Sequence, residues 1–227
     1  NRVASVRNIL RNNLADGLIF TRTECFDDRV RLRLEEDFPF ITHGGTEFTT
    51  PHAFVDYDNE AFARAAVDRI VAKGRERISI ILPDARFTFA QHLRYGFLAA
   101  VRAAGVDYRI EDITLHASPQ AIAAHLTARL LDNDAPDGLV CVGAVTALAS
   151  RAAMHDTGKV LGRDADIVAK RASPIFDLLR PRIETVSEDV RATGEKIGEL
   201  LLKRIDGVPP AELQHIQPPG GTFCDEG

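Results

Sequence analysis

Apolar residues recur at helical spacing near the start of the chain, at Val3, Val6, Ile9, Leu10 and Leu14, until Ala15-Asp16-Gly17 interrupts them. Gly17-Leu18-Ile19-Phe20-Thr21 then reads as a buried strand. The same alternation continues along the chain. Helical patterns over 27–36, 59–72, 89–104, 119–131 and 145–156 precede strand patterns over 39–43, 78–82, 108–115, 139–142 and 165–169, respectively. Glycines at 74, 105 and 158 stop three of these helices. Strands alternating with helices of this length predict parallel sheets covered on both faces. A last long helix is expected over 188–204, with Val190, Ile197, Leu200, Leu201 and Ile205 as its apolar face. Acids in its first turn and Lys203-Arg204 in its last suit the helix dipole. No Gly-, Ser- or Pro-rich linker divides the chain, and Gln217-Pro218-Pro219-Gly220-Gly221 is expected to be a loose end.

Composition narrows the function classes. With 227 residues, 45 % of them hydrophobic, the chain can bury one large core or two modest ones. A net charge of -5 provides no broad basic surface for gripping phosphate backbones. Cys25, Cys141 and Cys224 are odd in number, widely spaced and without a C-x-x-C pair, which favours a reduced setting over a disulfide scaffold or zinc site. No apolar run approaches a membrane span and no signal peptide is expected. Phosphate-loop, dinucleotide, nucleophile-elbow and H-E-x-x-H fingerprints are all missing, so an enzyme is disfavoured and no cofactor is expected. His43, His52, Asp56 and Asp58 straddle a loop and a strand, where the stretch from His43 to His52 reads better as a surface connection, and Asp56 and Asp58 as helix-starting acids, than as metal ligands.

Several motifs follow one another in a telling order. F-V-D-Y-D-N-E (54–60) runs from a strand into an acidic helix start, and Q-H-L-R-Y-G-F (91–97) lies on a later helix. A-P-D-G-L-V-C-V (135–142), L-G-R-D-A-D-I-V (161–168) and R-I-E-T-V-S-E-D-V-R-A-T-G (182–194) come next. Over residues 16–210 this order resembles the effector-binding region of LacI/GalR-type transcriptional regulators. The resemblance implies an α/β, two-lobed periplasmic-binding-protein-like fold, each lobe a parallel sheet flanked by helices. It puts the N-terminal lobe at 1–54 plus 187–212, and the C-terminal lobe at 55–186 plus 213–227. Crossings fall near Val55, Val186 and Leu213. The family's first strand-helix unit and its helix-turn-helix have no counterpart in these residues. The resemblance further implies a cytoplasmic homodimer that binds operator DNA through that N-terminal domain, with no membrane contact. Helices 59–72 and 89–104 are candidate pairing surfaces. An effector in the crevice at the strands' carboxyl ends would bias the angle between lobes, and so operator affinity. The alternative is a periplasmic sugar- or solute-binding protein of a transporter, which shares the architecture.

Departures from the family pattern point to the ligand. Sugar-sensing members often offer an Arg where Leu93 stands, and an Asn-Asp or Ser-Asp where Gly143-Ala144 stand. Their G-Y/F-D-D becomes Ala169-Lys170-Arg171-Ala172, so two cations replace an acceptor carboxylate. A guanidinium fork matches carboxylate or phosphate, which makes the expected effector a sugar, sugar acid or sugar phosphate met by Lys170 and Arg171. Strand ends supply the other ligand-binding candidates: Thr21, Arg22, His43, Phe87, Phe89, His92 and His116. Of these, Phe87 and Phe89 are suited to stacking on a sugar ring.

Overall fold

The computed structural model describes residues 2–12, 14–36 and 38–221. Its described residues divide into two compact units, each built on its own parallel sheet.

The first unit comprises Asn1–Tyr57, Arg86–Phe89 and Asp189–Pro218. It contains α1 (Arg2–Arg11), β1 (Leu18–Phe20), α2 (Asp28–Glu36), β2 (Phe40–His43) and β3 (Ala53–Tyr57). Late in the chain come the helix α7 (Val190–Ile205) and the strand β9 (Gln214–Gln217). The sheet order is β1-β2-β3-β9, all parallel. Alternation along β2 feeds both faces. Phe40 joins Val6, Phe20 and Val30, whereas Ile41 joins Ala53, Val55, Ile197, Leu200 and Leu213.

His52 lies within this unit, its ring stacked on Phe40 at 5.8 Å and tilted against Phe54 at 5.9 Å. Thr42 donates its hydroxyl to the Gly44 carbonyl, which leaves His52 Nε2–H to donate to Thr42 Oγ1 at 3.0 Å. Burial lowers this imidazole from 6.5 to about 4. Below pH 6.5 the unfolded ring therefore takes up its proton before the folded one does. Stability is expected to fall progressively as pH drops from 6.5 to about 4. Urea unfolding across that window checks this: His52→Gln should flatten the pH dependence, and an unchanged slope would show that the ring is not its source.

The second unit comprises Asp58–Ala85, Ala90–Glu188 and Pro219–Gly227. Its elements are α3 (Asn59–Ala72), β4 (Arg77–Ile80), most of α4 (Thr88–Ala104), β5 (Asp107–Ile110) and α5 (Pro119–Leu131). They continue with β6 (Gly138–Cys141), α6 (Ala144–Asp156), β7 (Asp166–Arg171) and β8 (Glu184–Ser187). The order is β5-β4-β6-β7-β8, again parallel throughout. All four residues of β6 are buried, as a strand covered on both faces requires. Leu139 and Cys141 pack with Ile122 and Leu126 of α5 and with Ala153 and Met154 of α6. Val140 points the other way, and Phe62, Ala66 and Ile70 of α3 are fully buried.

Three local features hold this unit together. Asp58 caps α3 by accepting from Ala61 N at 2.8 Å, as its place in the acidic run suggests. A Cβ on Gly96 would stand 2.2 Å from the carbonyl oxygen of Glu60, so α4 crosses α3 backbone to backbone. At the far end of α3, Asp166 receives Lys73 Nζ at 3.0 Å and Arg75 Nε at 2.7 Å. Glu184 pairs with Lys73 and, at 2.6 Å, with Arg69.

The structure differs from the sequence reading at several places, among them Arg86–Phe89, expected in the C-terminal lobe but grouped with the first unit. The strand expected over 108–115 stops at Ile110, because Ile113 and Leu115 pack on the α5–α6 core instead of extending the ladder. Residues 213–218, expected in the C-terminal lobe, group with the first unit, because Phe54 to Tyr57 pair with β9. The expected loose end is tied down, with Gly220 and Ser187 exchanging backbone hydrogen bonds of 2.9 and 3.2 Å. Helix α7 starts after Asp189, whose carboxylate accepts from Ala192 N at 2.9 Å, and Val190 on its expected apolar face is exposed. Cys25 and Cys141 are free thiols, and Cys224 lies outside the described residues. No described helix is long and apolar enough to cross a membrane.

Candidate functional site

In parallel α/β sheets, loops at the carboxyl ends of strands present side chains to ligands. In the first unit, β1 ends at Phe20 and hands over to Thr21 and Arg22, both exposed. Arg22 has φ 55, a left-handed conformation that non-glycine residues seldom adopt. Arg29 holds it there: its Nη2 donates to the carbonyls of Thr21 at 3.1 Å and Arg22 at 3.4 Å. Arg29 is itself gripped by Asp27 at 2.6 and 2.9 Å. Burial pushes the Asp27 carboxyl up, but the hydrogen bonds from Arg29 and from the Glu24 N–H, with the charge of Arg29, together outweigh it and leave the carboxyl below its usual range.

The guanidinium of Arg22 lies 5.2 Å from the centre of the Phe87 ring, and that of Arg86 lies 4.8 Å from it. Phe89 stacks on Phe87 at 5.6 Å. Backbone hydrogen bonds from Cys25 N to Arg86 O and from Thr88 N to Thr23 O tie the two loops together. The carbonyl of His43, at the end of β2, accepts from Thr23 Oγ1 at 2.9 Å. The structure thus gathers Thr21, Arg22, His43, Phe87 and Phe89 into one neighbourhood. Phe87 is fully buried and presents no ring face in this conformation, whereas Phe89 is half-buried.

In the second unit, β7 ends in Lys170 and Arg171, aligned with Val186 and Ser187 of β8. Lys170 Nζ lies 3.0 Å from Glu188 Oε2 and 3.2 Å from Asn59 Oδ1, with both charged side chains at most 13 % exposed. Arg171 Nη1 lies 3.0 Å from Asp177 Oδ1. Each of these two cations thus has a carboxylate partner, supplied from outside β7. The neighbouring β6 leads into α6, whose N-cap Gly143 makes no side-chain cap bond, leaving first-turn N–H donors at this end of the sheet. His92 and His116 are set apart by topology. His92 lies on the helix after β4, with β6 between β4 and β7. His116 follows the edge strand β5 and is exposed.

This strand end combines ammonium and guanidinium donors with carboxylate and amide acceptors. Such a mixture suits hydroxyl groups, each of which both donates and accepts. Sequence reasoning missed Asn59, Asp177, Glu188 and Arg86. Glu188 was read as the first residue of the helix expected over 188–204, which masked its place just beyond β8. Among the described residues, no three His, Cys, Asp or Glu side chains are placed to hold a metal ion.

The sequence matches the family described as periplasmic binding protein-like domain over residues 67–223. A relative, the HTH-type transcriptional regulator RafR of Escherichia coli, is 25 % identical over 92 % of this chain. The chain spans 53–63 % of the length of the first curated relatives it matches. A LacI-family regulatory protein from Chloroflexus aggregans superposes with a TM-score of 0.85 at 24 % identity, covering 96 % of this chain and 79 % of its own. A complex of the transcriptional regulator CelR with cellobiose gives a TM-score of 0.84 at 18 % identity, covering 95 % of this chain and 67 % of its own. At these identities the two structures speak to the fold.

Proposed function

We propose, for a chain that belongs to the periplasmic binding protein-like domain family, the role of effector-sensing domain in a LacI-type, DNA-binding transcriptional regulator, with a sugar as effector. The regulator names of its relatives support the setting. The observation that carries the ligand class is the compensated cluster of Lys170, Glu188 and Asn59 with Arg171 and Asp177 at the end of β7. A neutral polyol satisfies both its donors and its acceptors. A sugar acid or sugar phosphate would need Arg171 to exchange Asp177 for the ligand, which the exposure of that pair permits. The proposed contacts in the second unit are Lys170, Arg171, Asn59 and Glu188; within the first unit the candidates are Thr21, Arg22, His43 and Phe89. Phe87 acts from beneath, as the ring on which Arg22 rests. The regulator works in the cytoplasm as a homodimer and binds operator DNA through a helix-turn-helix beyond these residues. It needs no cofactor and performs no catalysis. Its effector acts only through unequal affinity for two conformational states.

A thermal-shift screen of the purified chain tests this against neutral mono- and disaccharides, sugar acids and sugar phosphates. A neutral saccharide at about 100 times its Kd should add about 2.7 kcal/mol, read as a rise of several degrees. Lys170→Met and Glu188→Gln should each weaken binding about tenfold or more, because each leaves a buried charged partner unmatched. A tighter sugar acid or phosphate would select the anionic effector. Silence across the whole panel would overturn the sugar reading.

A further inference from the structure

The second unit also contains a cavity at the opposite ends of its strands, unrelated to the β7 cluster. It opens beside the first residues of β4 and β5 and has a volume of about 300 Å³, the low end of the range for small-molecule sites. Three arginines line it, Arg77, Arg109 and Arg129, together with Ser79 and Tyr108. Only two carboxylates line it, from Asp107 and Asp134. The register pairs Arg77 with Asp107 and Ser79 with Arg109, so these four share one sheet face.

The three arginines are held very differently. Arg77 is committed to Asp137 at 3.2 Å and the Ala135 carbonyl at 2.8 Å. Arg129 is 12 % exposed and pairs with Asp132, while its Nε lies 3.5 Å from the buried Glu111 carboxylate without hydrogen-bonding geometry. Arg109 is half-exposed, and its ion pair with Asp134 is a loose 3.9 Å. Asp134, 71 % exposed on the loop after α5, reaches Arg129 only at 3.4 Å. Hydrogen bonding from Arg129 nonetheless keeps the Asp134 carboxyl below its usual range, so the group is ionised at neutral pH. A tethered carboxylate thus sits loosely before two guanidiniums at the rim of a cavity, in exposed pairs that hold it weakly.

We infer that this cavity is a second ligand site, for a small oxyanion such as a phosphate- or carboxylate-bearing metabolite, which displaces Asp134 from Arg109 and Arg129. The guanidinium fork of Arg109 takes two oxygens of the anion, and the partly buried Arg129 stiffens the cavity wall behind it. Asp134 acts as an internal competitor that sets the affinity.

Isothermal titration at constant ionic strength tests this with inorganic phosphate and citrate as probes, which separates the two anion chemistries. The intact chain should bind at least one of them. Arg109→Gln, an exposed substitution that leaves the core untouched, should weaken it about tenfold. Asp134→Asn should tighten it about threefold, by removing the competing charge. Lys203→Gln, which removes an equally exposed cation on α7 outside both sites, should leave it unchanged. Absence of binding, or binding indifferent to Arg109→Gln, overturns the inference. Weaker binding in Asp134→Asn overturns the competition, since Asp134 would then be helping to build the site.

Discussion

Gly96→Ala is expected to destabilise the second unit by about 3 kcal/mol, the upper part of the usual range for overpacking. The sign is the informative part. In an unobstructed helix alanine is favoured over glycine by about 1 kcal/mol. At Gly96 the added methyl would stand 2.2 Å from the Glu60 carbonyl oxygen and 2.9 Å from its Cα, all backbone that no rotamer change can move aside. Relief requires α3 and α4 to separate, which loosens the packing of Phe62 and Leu93, both fully buried. Gly194 on α7 supplies the control, because a Cβ there meets nothing within 4 Å. Gly194→Ala should therefore be neutral or stabilising by up to about 1 kcal/mol. Urea unfolding of the two variants side by side checks the pair, and equal effects would rule out the close crossing.

Asp166→Ala is the second large effect, expected at about 3 kcal/mol. Its carboxylate is 5 % exposed and receives Lys73 and Arg75, which sit at and just beyond the end of α3. The same two residues reach further into the unit. Lys73 also pairs with Glu184 of β8, and Arg75 also donates to the carbonyls of Gly162 and Arg163. One acid at the start of β7 thus anchors a helix end, a turn and the neighbouring strand. Removing it leaves two cations facing a desolvated gap, although their surviving partners keep the cost at the lower end of the range for buried pairs. Lys203→Ala, which breaks an exposed pair with Glu199, should leave stability almost unchanged. Comparable losses in the two variants would show that burial is not what gives Asp166 its weight.

The alternating elements were legible because parallel sheets covered on both faces leave runs of buried residues, as in β6 and β7. Strand β9 was not, because Gln214, His215 and Gln217 surround a single apolar Ile216, itself 58 % exposed. Its ladder with β3 defines it, and that partner lies far away in sequence. The strand end at Lys170-Arg171 could be read from local pattern. Its charge balance could not, since Asn59 comes from the start of α3 and Glu188 from beyond β8. Likewise nothing in the sequence near Phe87 shows that Arg22 and Arg86 both lie against its ring.

The late arrival of α7 and β9 has a consequence for biosynthesis. The first unit draws its covering helix and its edge strand from residues 190–217, whereas the second unit's sheet is complete at Ser187. A chain leaving the ribosome therefore exposes the second sheet in full while the first still waits for its closing strand. Vectorial synthesis usually lets amino-terminal domains mature first. In this stretch the order is reversed, and the first sheet is the one that must be sheltered until residues 190–217 have emerged.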